Sequence, residues 1–155
     1  LFIGLDIRDD FMAFGRERIA DLGLDNISLE ECNLIVDPLE QLFDAERIHR
    51  YHINFPDPWF KARQHNRRWL TGQAVLGMVR TLEEGGQILF QSDVWALTLE
   101  ALALLEAHPA LENTEGEWTF LRDSPFDVRT SRELACQDEG RQIWRLLFER
   151  GWFDG

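Results

Sequence analysis

Apolar positions along the chain alternate between two spacings, and each change of spacing marks the boundary of an element. Residues 1–7 form a short apolar run of the kind a buried parallel strand shows. Over residues 9–22, Phe11, Phe14, Ile19 and Leu22 recur at helical spacing until Gly23 closes the helix. Residues 26–30 predict a second strand, and residues 38–43 a short helix with Asp37 as N-cap and Pro38 at its first position. A third strand over 51–55 runs directly into Pro56-Asp57-Pro58-Trp59. In residues 69–82, Leu70, Val75, Met78, Val79 and Leu82 suit a helix packed on a sheet, ended by Gly85-Gly86. A strand over 87–91 then leads through Ser92-Asp93 into a helix from Val94 to about His108, which Pro109 ends. Two more strands are expected at 117–121 and 142–148, separated by about 20 irregular residues.

Four alternations of strand and helix imply an α/β fold, a mostly parallel sheet closed by a C-terminal antiparallel hairpin. The chain shows no repeat and no linker-like stretch, so one continuous domain over 1–155 is expected. Ligands of such sheets bind outside the carboxyl ends of the strands. That rule selects Asp6, Asn33, Asp57 and Asp93, four short polar residues after four successive strands.

Composition fits an ordinary globular domain: 155 residues, 45% hydrophobic and 28% charged. The longest apolar stretch, 94–105, is interrupted by Glu100, so a membrane span is not expected. Cys32 and Cys136 have neither CxxC spacing nor neighbouring His, which reads as two buried thiols in a reducing cytoplasm. The net charge of −12 argues against a nucleic-acid partner until its distribution is considered. Lys61, Arg63, Arg67 and Arg68 cluster within residues 59–68 with no acid among them, and the rest of the chain has 12 basic against 28 acidic residues, or −16. A basic patch therefore sits on an acidic body, either as a solvated face or as a grip on phosphates.

Each candidate has a structural and a chemical use. Asp6 suits hydrogen bonds from ribose hydroxyls or a favourable place before a helix N-terminus. Asn33 can meet an adenine edge or form a turn. Prolines on both sides of Asp57 stiffen the backbone and fix where the carboxylate points, as they would also do in a plain turn. Asp57 and the basic segment could serve a guanine and its phosphates, with Trp59 or Phe60 stacking on a base or packing in the core. Asp93 is equally placed to cap the following helix. Thr130-Ser131-Arg132-Glu133 has the spacing of a capping box. His65 reads as a phosphate neighbour, while His49, His52 and His108 have no partners at metal-ligand spacing.

The segment Asn54-Phe55-Pro56-Asp57-Pro58-Trp59-Phe60-Lys61-Ala62-Arg63, followed by Arg67-Arg68, resembles the FPDPW motif and basic loop of bacterial tRNA (guanine-N7)-methyltransferases of the TrmB type. Gly4-Leu5-Asp6-Ile7-Arg8 is similar to the second-strand signature of that family, Gln91-Ser92-Asp93 to a later strand end, and Thr130 to Glu133 to its TxxE motif. The resemblance extends from Leu1 to about Arg150 and implies a Rossmann-like class I S-adenosylmethionine-dependent methyltransferase. It further implies that Asp6, Asn33 and Asp57 face S-adenosyl-L-methionine, with Asp57 the catalytic carboxylate. Lys61 and Asp93 would contact guanine, Thr130, Ser131, Arg132 and Glu133 would complete the substrate pocket, and Arg63, Gln64, His65, Asn66, Arg67 and Arg68 would hold tRNA.

Gln64 stands where the family often has His, Asn66 where it often has Lys, and Asn33 where several members have Asp. The family's first strand and its glycine-rich loop are expected upstream of Leu1. The chain is therefore expected to be a methyltransferase domain truncated at its N-terminus, binding cofactor poorly by itself, cytoplasmic, metal-free, and a monomer or homodimer. The alternatives are a degenerate RNA-binding module of the same fold and an amino-group methyltransferase.

Overall fold

The computed structural model of the chain describes residues 1–58 and 69–152. Two compact units are present, Leu1–Asp37 and Pro38–Gly155. In the first, strand β1 (Phe2–Asp6) and strand β2 (Ile27–Glu31) pair in parallel, from Phe2 opposite Ile27 to Asp6 opposite Glu31. Helix α1 (Asp9–Asp21) makes the crossover and seats Met12 in a buried position. Leu29 fills the space between strand and helix that two glycines leave open. A Cβ on Gly4 would lie 2.6 Å from one Leu29 methyl carbon, and one on Gly15 would lie 2.5 Å from the other.

The second unit holds a four-stranded sheet in the order β3-β4-β6-β5, built from β3 (Ile48–Asn54), β4 (Leu82–Ser92), β5 (Leu111–Asn113) and β6 (Trp144–Arg150). β3 and β4 run parallel, and β6 is antiparallel to both β4 and β5. Its helices are α2 (Leu39–Leu42), α3 (Gly72–Thr81), α4 (Trp95–Glu106) and α5 (Ser131–Asp138). The apolar run Ile88-Leu89-Phe90 is buried throughout, as expected of a central strand covered on both faces. With Val75 and Met78 of α3, Leu102 and Leu105 of α4, and Leu146 and Phe148 of β6, it forms the core.

The alternation, the parallel pairing and the antiparallel final strand are borne out. Details differ where local hydrogen bonds overrule pattern. α3 begins at Gly72 because the Thr71 side chain accepts from the Ala74 amide at 3.2 Å. Pro38, not Asp37, is the N-cap of α2. Asp37 instead turns its carboxylate back to the Asn33 amide at 3.0 Å and the Cys32 thiol at 3.8 Å. Residues 117–121 are not a strand: Gly116 and Trp118 adopt positive φ, and one bridge from Leu121 to Arg145 remains. The strand beside β6 is Leu111–Asn113, whose Asn113 is buried and donates to Glu106 and to the Thr119 carbonyl. Cys32 and Cys136 are buried free thiols, and burial raises the pKa of both. No described helix is long and apolar enough to cross a membrane.

β4 opens with an irregular stretch against β3, where Ile48 faces Leu82 but Arg50 already faces Gln87. A Cβ on Gly86 would stand 2.8 Å from the Glu83 carbonyl oxygen and 3.2 Å from that of His49. Both contacts are backbone, so the strain cannot be relieved by rotating a side chain. Gly86→Ala is expected to lower stability by about 1–3 kcal/mol in urea unfolding, with little change in the slope of the transition.

Candidate active site

In the first unit the parallel pairing brings the carboxyl ends of β1 and β2 side by side, and with them Asp6 and Asn33. The Asp6 carboxylate accepts from the Arg8 amide at 2.9 Å and from the Arg8 guanidinium at 3.3 Å. Partial burial pushes its pKa up, but the Arg8 side-chain and backbone hydrogen bonds and the charge of Arg8 outweigh this and hold it below its ordinary value. It is therefore an ionised, partly open acceptor. Asn33 is a turn residue: its side-chain oxygen accepts from the Ile35 amide at 3.2 Å, and its carbonyl accepts from Val36 and Asp37.

In the second unit the carboxyl ends of β3 and β4 and the start of β6 lie at one end of the sheet. Asn54, Gln91 and Arg145 are register partners there, in one row across three strands, so their side chains share a face. Gln91 donates to Asn54 Oδ1 at 2.8 Å, and Arg145 Nε donates to Gln91 Oε1 at 3.2 Å. Arg145 Nη2 donates to Glu133 Oε1 at 3.0 Å, while Glu133 Oε2 accepts from the Thr130 amide at 2.8 Å. The Thr130 hydroxyl accepts from the Glu133 amide, so the capping box is fully formed at the start of α5. Ser131 is exposed beside it.

The turn carrying Asp57 leaves the same end of the sheet. Phe55 has φ 49°, a left-handed conformation that costs a residue of this size of order 1–3 kcal/mol. Its amide donates to the Gln91 carbonyl at 2.8 Å, which secures the chain just before Pro56, and the Asp57 side chain is exposed. Asp93 follows β4 but caps nothing; Val94 is the N-cap of α4. Its carboxylate, 9% exposed, accepts at Oδ2 from Arg132 at 2.9 Å and from Arg141 at 2.6 Å. Trp95, Phe120 and Trp144 form an aromatic cluster next to it, with Trp95 and Trp144 ring centres 4.4 Å apart. The loop before α5 is seated by Phe126, which contacts His52 at 5.1 Å and Arg50 at 4.9 Å.

Asp57, Asp93 and the Thr130 to Glu133 turn are thus gathered at one end of the second unit's sheet. Lys61, Arg63, Gln64, His65, Asn66, Arg67 and Arg68 lie outside the described residues. Sequence reasoning missed Asn54, Gln91, Arg141 and Arg145. A signal for Arg145 existed, since it is the one charge within the otherwise apolar run Trp144 to Phe148. Among the described residues no group of three or more His, Cys, Asp or Glu could hold a metal ion.

Glu133 is 2% exposed, and burial alone would raise its pKa. The backbone bond from Thr130 and the side-chain bonds from Arg145, Thr130 and Gln91 prevail and lower it from 4.5. A folded-state pKa below the unfolded one contributes stability above the unfolded value, lost as pH falls through the folded one. Glu133→Gln is expected to cost about 3 kcal/mol at pH 7, where it strands the Arg145 charge. In thermal or urea unfolding followed from pH 7 to 3, the gap to wild type should narrow below pH 4.5.

The family model described as "Putative methyltransferase" matches residues 1–146. Over 152 residues the chain is 34% identical to the tRNA (guanine-N(7)-)-methyltransferase of Trichormus variabilis, covering 96% of this chain and 70% of the relative. It is also 34% identical over 149 residues to the enzyme of the same name from Thermosynechococcus vestitus, covering 96% and 68%. Among solved structures, an rRNA methylase from Streptococcus thermophilus superposes with TM-score 0.61 at 13% identity, over 97% of this chain and 73% of that one. A SAM-dependent O-methyltransferase from Thermotoga maritima superposes with TM-score 0.56 at 14% identity, over 99% and 51%. These distant neighbours speak to fold, which is Rossmann-like and that of class I S-adenosylmethionine-dependent methyltransferases. The family match over most of the chain and the 34% identity to relatives of which it covers about 70% show that the chain belongs to the tRNA (guanine-N7)-methyltransferase family.

Proposed function

We propose that the chain carries out the reaction its relatives are named for, transfer of a methyl group from S-adenosyl-L-methionine to N7 of a guanine in tRNA. The observation that carries this reading is the Asp57 turn, anchored to Gln91 and placed at the same sheet end as Asp93 and the Thr130 to Glu133 cap. The acceptors fit the methyl donor. Asp6, kept ionised and partly open by Arg8, would take the ribose hydroxyls, and Asn33 would take the adenine edge. S-adenosylmethionine supplies an activated methyl on a sulfonium centre. Asp57 would also face it and would carry the principal role in the reaction.

Guanine N7 carries no proton and is already a nucleophile, so the protein has little acid–base work to do. Its task is alignment, together with compensation of the positive charge that N7 gains. Asp57 supplies a carboxylate from a turn that two prolines stiffen. Asp93 receives both arginine bonds on Oδ2, which leaves Oδ1 to accept from the guanine amino group. Lys61 contacts the guanine nucleotide, Thr130, Ser131, Arg132 and Glu133 complete the substrate pocket, and Arg63, Gln64, His65, Asn66, Arg67 and Arg68 grip the tRNA backbone. The protein works in the cytoplasm, where its tRNA substrate is made, as a monomer or homodimer.

Labelled methyl transfer to unmodified tRNA, with 7-methylguanosine identified after digestion, tests the reading, using the 155-residue chain and the full open reading frame that encodes it. Asp57→Asn is expected to lower kcat roughly 10- to 100-fold. Wild-type turnover in that variant would overturn the role of the carboxylate. Bound tRNA without transfer in either form would point instead to the degenerate RNA-binding module.

Replacing Arg67 and Arg68 together by Ala should weaken tRNA binding and reduce its salt dependence by about two phosphate contacts. Unchanged affinity in a filter-binding titration would make the basic segment a solvated face.

A further inference from the structure

Three buried polar side chains of the second unit are tied to one another rather than left to separate partners. Glu133 is 2% exposed, Gln91 3% and Arg145 7%, and the three form one connected set. A buried ion pair is costly to desolvate, and apolar residues of similar size would often serve stability as well or better. What this pair offers is direction. The Arg145 guanidinium presents two nitrogens to two different partners: Nη2 reaches Glu133 at the start of α5, and Nε reaches Gln91 near the end of β4. From Gln91, one route leads through its side chain to Asn54 on β3. A second leads through its carbonyl to the amide of Phe55, the left-handed residue two positions before Asp57.

We propose that Arg145 is a positioning residue for the methyl transfer. It fixes the Thr130 to Glu133 cap relative to the Asp57 turn through Glu133 on one side and through Gln91, Asn54 and Phe55 on the other. The function assigned to it rests on the reading given under Proposed function; the mechanical link does not. Neither Arg145 nor Gln91 meets substrate, so both act through the groups they hold. Arg is required because a lysine ammonium is a point donor on a flexible stem and cannot reproduce the fork.

Two variants separate this from a role in folding. Arg145→Lys keeps a positive charge beside Glu133 but loses the two-pronged geometry. Gln91→Met keeps the Glu133–Arg145 pair and the volume at position 91 but removes both the acceptor of Arg145 Nε and the side-chain link to Asn54, and it decides the matter if Arg145→Lys does not fold. Both are expected to lower kcat per folded molecule by at least about 10-fold with KM for tRNA and for S-adenosylmethionine within about 3-fold, because misplacement of reacting groups by about 1 Å costs up to about 100-fold. Amide hydrogen exchange gives a second readout that needs no activity. Exchange at Phe55 should speed up in both variants, and at Glu133 in Arg145→Lys, while Ile88 to Phe90 stay protected. Wild-type kcat in a folded variant overturns the proposal, and so does exchange that rises evenly along β4 and β6. If neither the wild-type chain nor the full open reading frame transfers methyl, the proposed function fails, and the exchange pattern still decides whether Arg145 couples the two turns.

Discussion

A buried charged side chain near the start of β6 sets the terms for the second unit. Arg145 lies between Trp144 and Leu146 on β6, a strand whose neighbours Leu146 and Phe148 are fully buried. Such a charge persists only if its protons are taken, and the fold meets that demand with Glu133 and Gln91. Glu133 in turn is acceptable at 2% exposure only because Thr130 occupies its second oxygen. The capping box of α5, the register of β6 on β4 and the hydrogen bond from Gln91 to Asn54 are thus linked through one buried guanidinium. A slip of β6 by one residue would turn Arg145 to the opposite face of the sheet, so the pair also secures register.

The sequence disclosed what periodicity and turn chemistry control. The helical spacing of Val75, Met78 and Val79, the continuous apolar run at Ile88 to Phe90, and the Thr130 to Glu133 box all appear where the pattern put them, but α3 ends at Thr81 and not at Gly85-Gly86, because Leu82 already opens β4. What it did not disclose depends on pairing between distant residues. Residues 117–121 have strand-like composition, yet left-handed conformations at Gly116 and Trp118 break them, and Leu111–Asn113 takes the edge position because Asn113 can bury its amide against Glu106 and Thr119. Asp37 looks like a helix cap by its place before Pro38, but the turn after β2 offers it an amide and a thiol. The position of each polar residue at or after the end of its strand was legible, Asp6 and Asn33 in the first unit and Asp57 and Asp93 in the second. That Asp93 is bound by Arg132 and Arg141 was not, since 39 and 48 positions separate them in sequence.

Charge divides along similar lines. The acidic body gives no general attraction for RNA, so affinity for tRNA must come from a few concentrated contacts, and residues 59–68 hold the only acid-free cluster of that strength. Arg132 and Arg141 lie at the same sheet end as Asp93, and each spends part of its charge on an acid there. Neutralised pairs of this kind add little long-range attraction but fix direction at short range. Long-range attraction and short-range direction are thus different tasks, and net charge alone reveals neither.

The chemistry explains why so much of the site is scaffolding. Methyl transfer to a nitrogen that carries no proton needs neither a general base of tuned pKa nor a metal. The rate must come from holding two partners in line and from fixed charges near the nitrogen that becomes positive. Fixed charges are useful only if they do not relax, and an exposed carboxylate such as Asp57 relaxes unless its backbone is constrained. Two prolines, a left-handed Phe55 tied to the Gln91 carbonyl, and the row Asn54-Gln91-Arg145 beneath it supply that constraint from the sheet. If Asp57 has the role proposed for it, the buried row beneath its turn serves geometry, which is where a reaction of this kind gains its advantage.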